Sequence, residues 1–151
     1  MVARLCSYLE RSRDVQLHQS VVKCLSSMFT STDRAVIDNA LSEGVLVSFN
    51  RLLKTPTSQT TLYALFGLSN IAAGTADQAR AIRSDFELLR SVIRSTTSSD
   101  AKVRTESLWI LCNLINTTSF DELIDLLKQN EQINGEYDII HPMCNNLTSL
   151  D

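Results

Sequence analysis

The chain repeats itself, and the period of that repetition restricts its folds more than any other feature. Trp109-Ile110-Leu111-Cys112-Asn113 aligns with Phe66-Gly67-Leu68-Ser69-Asn70 at a shift of 43 residues. The same shift takes Asn70 to Ser27 and Phe66 to Lys23. At that register Val22, Leu65 and Leu108 coincide, as do Leu25, Leu68 and Leu111, and Met28, Ile71 and Leu114. Thr32, Thr75 and Thr118 coincide a few residues later. A unit this short cannot bury its own apolar stripe. Stacking each unit on the next buries all of them in one continuous core.

Inside each unit the apolar spacing is helical. Helices are expected over 4–10, 15–30, 33–42, 45–54, 58–73, 77–82, 85–94, 101–116, 120–129 and 141–149. Asp33 is a candidate cap for the third of these, and the polar run 95–100 supplies a cap for the 101–116 helix. Gly44, Pro56, Gly74 and the Asn134-Gly135 pair mark the breaks between helices. Four glycines and two prolines give little turn chemistry for an all-β chain. The order short, medium, long recurs. A period near 43 residues with three helices per unit matches the armadillo class of repeat. Tetratricopeptide and ankyrin periods are shorter, and propeller blades need strands. The expected fold is therefore all-α: an armadillo-repeat solenoid, a right-handed superhelix of about three repeats with incomplete ends. Residues 1–151 form one domain, with approximate units 1–11 (a partial second helix), 12–54, 55–97 and 98–151.

Composition narrows the partners. With 151 residues the chain is long enough for one sizeable core. A net charge of −3 argues against nucleic acid as the main partner, because phosphate binding needs a basic surface. It permits a locally acidic groove. No apolar run is long enough to span a bilayer, so no membrane role is expected. Cys6, Cys24, Cys112 and Cys144 lack CxxC pairing and read as small hydrophobes in apolar helices. This usage suits a reducing compartment. His141 and Cys144 are two ligands at most, too few for zinc. Two glycosylation sequons, at Asn116 and Asn146, follow no secretory signal and read as chance. No cofactor or metal is expected.

An enzyme is the least favoured class. His18 and His141 lack a nucleophile and a carboxylate at motif spacing. There is no phosphate-cradling glycine loop. Asp121, Glu122 and Asp125 form an acidic helix start, which the helix dipole explains without chemistry.

The 101–116 helix has two faces. Leu108, Leu111, Leu114 and Ile115 are expected to face the core. Glu106, Trp109 and Asn113 fall opposite, at i, i+3 and i+7. The only tryptophan thus points away from the apolar stripe. The repeat register extends this into a ladder of three rungs on the concave side: Ser20, Lys23 and Ser27; Tyr63, Phe66 and Asn70; Glu106, Trp109 and Asn113. An Asn amide both donates and accepts, so it can hold an extended peptide backbone whatever its sequence. Aromatic rings wall slots for the stems of Lys or Arg, at about 0.5–2 kcal/mol per cation–ring contact. Carboxylates at Glu106 and Asp33 select positive charge.

At these residues the chain resembles a known family. Leu68-Ser69-Asn70-Ile71-Ala72-Ala73-Gly74-Thr75 looks like the end of an importin-α armadillo third helix, and Trp109-x-x-x-Asn113 matches that family's Trp–Asn pair. Segments 36–39 and 140–147 also resemble it, so the similarity runs over nearly the whole chain. The register is most like the C-terminal repeats, which carry the minor site for nuclear localisation signals. The resemblance implies an adaptor that binds basic peptide segments of cargo for nuclear import, in cytoplasm and nucleus. It implies peptide-binding roles for Asn70, Asn113 and Trp109 with Ser69 beside them, and acidic contacts at Glu106 and Asp33. One family repeat carries a cation in place of Trp, where Lys23 stands here. The chain also departs from the pattern. Phe66 replaces Trp, Ser27 replaces Asn, and Tyr63 stands where Glu is usual. Each change weakens cation binding.

The family's basic importin-β-binding segment has no counterpart here, and both chain ends cut across a repeat. A fragment or a reduced relative is the expectation, with transport receptors as partners if the chain belongs to a longer one. Exposed repeat ends would favour self-association. The competing reading is an armadillo or HEAT-like scaffold that uses its convex or end surfaces without selecting basic peptides. Ser27, Tyr63 and Phe66 favour the scaffold; Trp109, Asn113 and Asn70 favour the adaptor.

Overall fold

The structure, a computed structural model, describes residues 1–12, 14–54 and 58–119. The helices expected over 120–129 and 141–149, with His141 and Cys144, lie outside the described residues. Those residues form eight helices: α1 (Val2–Arg11), α2 (Val15–Met28), α3 (Ala35–Ser42), α4 (Val45–Leu53), α5 (Ser58–Ala72), α6 (Ala76–Arg83), α7 (Phe86–Ser95) and α8 (Ala101–Asn116).

Local chemistry sets most of the starts. Asp14 caps α2 by accepting from the backbone N–H of Gln16 and Leu17. Asp85 does the same for Leu88 in α7, and Asp100 for Lys102 in α8. Thr75 forms a full capping box with Gln78 at α6. Its counterparts in the repeat act differently. The Thr118 hydroxyl turns back to the Leu114 carbonyl; after Thr32 the N-cap of α3 is Arg34, with no side-chain cap, and the Asp33 carboxylate just before it accepts from Ala35 N–H at 3.0 Å. Gly44 separates α3 from α4 at φ 75°, a left-handed conformation that costs a side-chain-bearing residue energy.

The helices stack in layers. The three long helices lie side by side in the order α2, α5, α8, with α5 packed on both neighbours. The medium helices α1, α4 and α7 form a second row behind them, and the short helices α3 and α6 pack on each other along one edge. α3–α5 and α6–α8 are thus successive short–medium–long triplets, preceded by the medium–long pair α1–α2.

The core runs unbroken through this stack. Leu25, Leu68 and Leu111 are all buried, as the repeat register requires. The medium helices repeat too: Cys6, Phe49 and Val92, one shift apart, are equally buried. Between layers, the Phe29 and Phe49 rings meet with centroids 6.2 Å apart. Gly67 marks the closest approach of α5. A Cβ there would lie 2.6 Å from Ser26 Oγ and 2.7 Å from the Phe49 ring.

Two expectations about burial need correction. On α8 the inward face is Val103, Ser107, Ile110, Leu111 and Leu114, whereas Leu108 is half-buried and Ile115 is exposed. Ser107 can enter the core because its hydroxyl donates to the Val103 carbonyl at 2.7 Å. Cys24, read as a small hydrophobe in an apolar helix, is exposed on α2; among the described cysteines only Cys6 is fully buried, and Cys112 is half-buried.

Polar groups join the repeats, buried at Gln78 and Ser91 and exposed at Arg51. Gln78 donates through Nε2 to Asp38 Oδ1 at 2.7 Å and to the Arg34 carbonyl at 3.2 Å, tying α6 to α3. Arg51 on α4 donates to the Leu9 and Glu10 carbonyls, the last turn of α1, where the helix dipole favours a cation. Ser91 on α7 donates to Asn50 Oδ1 on α4 at 2.7 Å.

Candidate functional site

The exposed face of the three long helices carries the predicted rungs. Trp109 is 57% exposed and Phe66 37% exposed, and both are more open than the half-buried Tyr63 ring on the same face. Glu106 lies one turn before Trp109, and Asn113 one turn after it. Both are half-buried. Helical spacing puts the three on one side of α8, as it does Tyr63, Phe66 and Asn70 on α5.

Between α5 and α8 this face opens into a slot of about 380 Å³, within the size range of small-ligand sites. Leu62, Tyr63 and Phe66 line it from α5; Ala101, Lys102, Thr105 and Glu106 line it from α8. Burial pushes the Glu106 carboxyl above the usual glutamate value. Its carboxylate has no hydrogen bond or ion pair with any described residue. A carboxylate that has lost water without gaining a partner favours an incoming cation.

The amides are partly committed within the protein. Asn113 donates through Nδ2 to the Ser69 carbonyl at 3.2 Å, spanning the α8–α5 gap. Asn70 donates to the Phe66 carbonyl of its own helix at 2.9 Å. Both keep the side-chain carbonyl oxygen for a ligand donor. Ser69 therefore contributes its backbone to holding Asn113.

The first rung is different. Lys23 extends from α2 over the Tyr63 ring, with Nζ 5.7 Å from the centroid. That contact fills the gap between α2 and α5 with the protein's own cation. Ser20 and Ser27 are exposed on the same helix. Asp33 lies in the turn after α2, where its carboxylate serves Ala35, and it does not line the slot.

Comparison with solved structures settles the architecture. A computationally designed armadillo repeat protein for modular peptide recognition superposes with TM-score 0.75 at 20% identity, over 85% of this chain and 52% of its own. A second designed armadillo repeat protein gives TM-score 0.69 at 21% identity, over 85% and 58%. A third, solved in complex with the peptide (KR)4, gives 0.69 at 18% identity, over 84% and 56%. The fold is an armadillo-repeat solenoid. The chain spans about half the length of these structures. No family model and no curated protein matches it.

Seen as an armadillo solenoid, α2, α5 and α8 are third helices, and the slot lies between two of them. Sequence reasoning found four of the rung residues that border it or stand beside it, Tyr63, Phe66, Glu106 and Trp109. It missed Leu62, Lys102 and Thr105. Lys102 stands one turn before Glu106, so the i−4 spacing alone could have found it. A second cavity of about 450 Å³ opens elsewhere, lined by Lys54, Thr61, Ser91, Arg94, Ser98 and Asp100 among others. It contains none of the predicted residues.

Proposed function

We propose that the groove across α2, α5 and α8 binds a peptide in extended form and selects Lys or Arg through the slot between α5 and α8. The observation that carries this reading is Glu106: a half-buried carboxylate with no partner among the described residues, facing the exposed Phe66 ring across an open slot. A Lys or Arg stem fills the apolar part, and its cation meets the carboxylate. Trp109 extends the ring surface, and the Asn113 and Asn70 carbonyl oxygens take backbone N–H groups. A designed armadillo protein of similar fold binds a Lys/Arg peptide, which supports the same use here.

The finer reading is an importin-α-like adaptor for nuclear localisation signals. It would work between cytoplasm and nucleus without catalysis, and with transport receptors if the chain belongs to a longer protein. The resemblance of Leu68–Thr75 and of Trp109 with Asn113 supports it. The Lys23–Tyr63 contact favours the scaffold reading instead, because it closes one rung to a basic ligand.

Binding of a labelled Lys/Arg peptide, against a neutral scrambled one, decides between them across a salt series. The groove reading predicts affinity that falls with ionic strength. It also predicts a loss of more than about 1 kcal/mol in W109A, the scale of an aromatic hot spot. Equal binding of the neutral peptide, or an unaffected W109A, refutes it and leaves the scaffold.

A further inference from the structure

Tyr63 partitions the groove. On one side its ring carries the Lys23 ammonium; on the other it walls the slot that holds Glu106. A cation and an anion of the protein therefore stand in adjacent gaps, α2–α5 and α5–α8. Neither has a charged partner among the described residues. Lys102 also lines the slot. Lys102 bears equally on any cation in the slot, so Lys23 is what separates the ligands: an uninterrupted basic run gains Glu106 but is repelled at Lys23. A ligand of mixed charge meets both features favourably.

We propose that this groove takes a mixed-charge segment, with Lys or Arg in the Phe66–Glu106 slot and Asp or Glu against Lys23, rather than a purely basic run. Neighbouring helix axes lie about 8–10 Å apart. An extended chain advances about 3.3 Å per residue. The two charges in the ligand are therefore two to three residues apart. This inference rests on the groove reading above and refines its ligand.

The proposal makes Lys23, which the repeat register sets in place of an aromatic, a specificity residue. It also accounts for Tyr63 where an acidic residue would pair with Lys23 internally. A phenol ring holds the ammonium in position by its face and leaves its charge available to a ligand carboxylate.

The test uses fluorescein-labelled peptides on the full chain. One set carries Lys and Glu two or three residues apart in both orders. The second carries Lys at both positions, and the third Lys and Gln. The wild-type protein is expected to bind one order of the Lys/Glu peptides about three- to fivefold more tightly than the Lys/Gln peptide. The Lys/Lys peptide should be weakest. K23E should reverse the ranking, placing Lys/Lys first, and K23Q should flatten it. Lys23 is exposed, and circular dichroism melts check that both variants stay folded. If Lys/Lys binds the wild type best and K23E leaves the order unchanged, the mixed-charge proposal is overturned while the groove reading stands. If no peptide in any set binds, the groove reading itself fails.

Discussion

Glu106 titrates against its surroundings, and that gives it a measurable signature. Burial raises its pKa, so the folded state holds the proton more tightly than the unfolded chain. The stability this contributes is fully present below the unfolded-state value and is lost as pH rises through the raised folded-state value. E106Q removes the dependence. Its stability at neutral pH should equal or slightly exceed that of the wild type, within about 0.5 kcal/mol, and its profile toward acid should be flatter. The same substitution should weaken basic-peptide binding several-fold. Thermal melts across mildly acidic to neutral pH, paired with peptide titrations, read both effects. A variant destabilised at neutral pH would show that the carboxylate has a partner. The cysteines give a second residue-scale test. Cys24 is exposed, whereas Cys6 is buried, and its thiol is pushed up by burial, then by Glu43 and Glu10. Alkylation followed by mass spectrometry should modify Cys24 first and Cys6 only on unfolding. Equal rates would contradict the packing of α1. At this scale the outward Trp109 was legible, because one tryptophan opposite a helical stripe is a strong signal. The Lys23–Tyr63 contact was not. It depends on how far one side chain reaches across to another helix, and sequence spacing says nothing of that.

Each helix must satisfy its own periodicity and also fit its neighbours, and α5 shows the second demand. Gly67 lies inside a helix, where Ala is normally better by about 1 kcal/mol. Here a methyl group would collide with Ser26 Oγ and the Phe49 ring. Phe49 is fully buried and held by Phe29, so it has little room to retreat. G67A should therefore lose about 1–2 kcal/mol net, the cost of overpacking prevailing over propensity. A denaturant midpoint lowered at unchanged slope is the expected readout; a raised midpoint would show that Phe49 yields. Helix positions were largely legible because apolar spacing and Asp or Thr caps agree along the chain. The buried face of α8 was not, since it includes Ser107 and leaves Leu108 only half-buried. Nor was Gln78, whose amide is buried only because Asp38 and the Arg34 carbonyl of the preceding repeat receive it. Polar residues read as surface until their partners are known.

For the whole molecule, the period decided the architecture. Three long helices at one register cannot fold singly, and stacking them gives both the continuous core and the open face. That face is what the sequence could only half describe. Its rings and amides follow the period, but its charges do not. The mixture of Lys23, Lys102 and Glu106 emerges only when α2, α5 and α8 are placed side by side. The central claim is that this face binds a charged extended peptide beside Trp109. As the only tryptophan, Trp109 reports on the groove without a label. Titrating a Lys-containing peptide while following tryptophan emission tests the claim directly. The account predicts a saturable change in Trp109 emission that weakens as salt is raised and is absent with a neutral peptide. An emission spectrum unmoved by the charged peptide, or a change indifferent to salt, would contradict it.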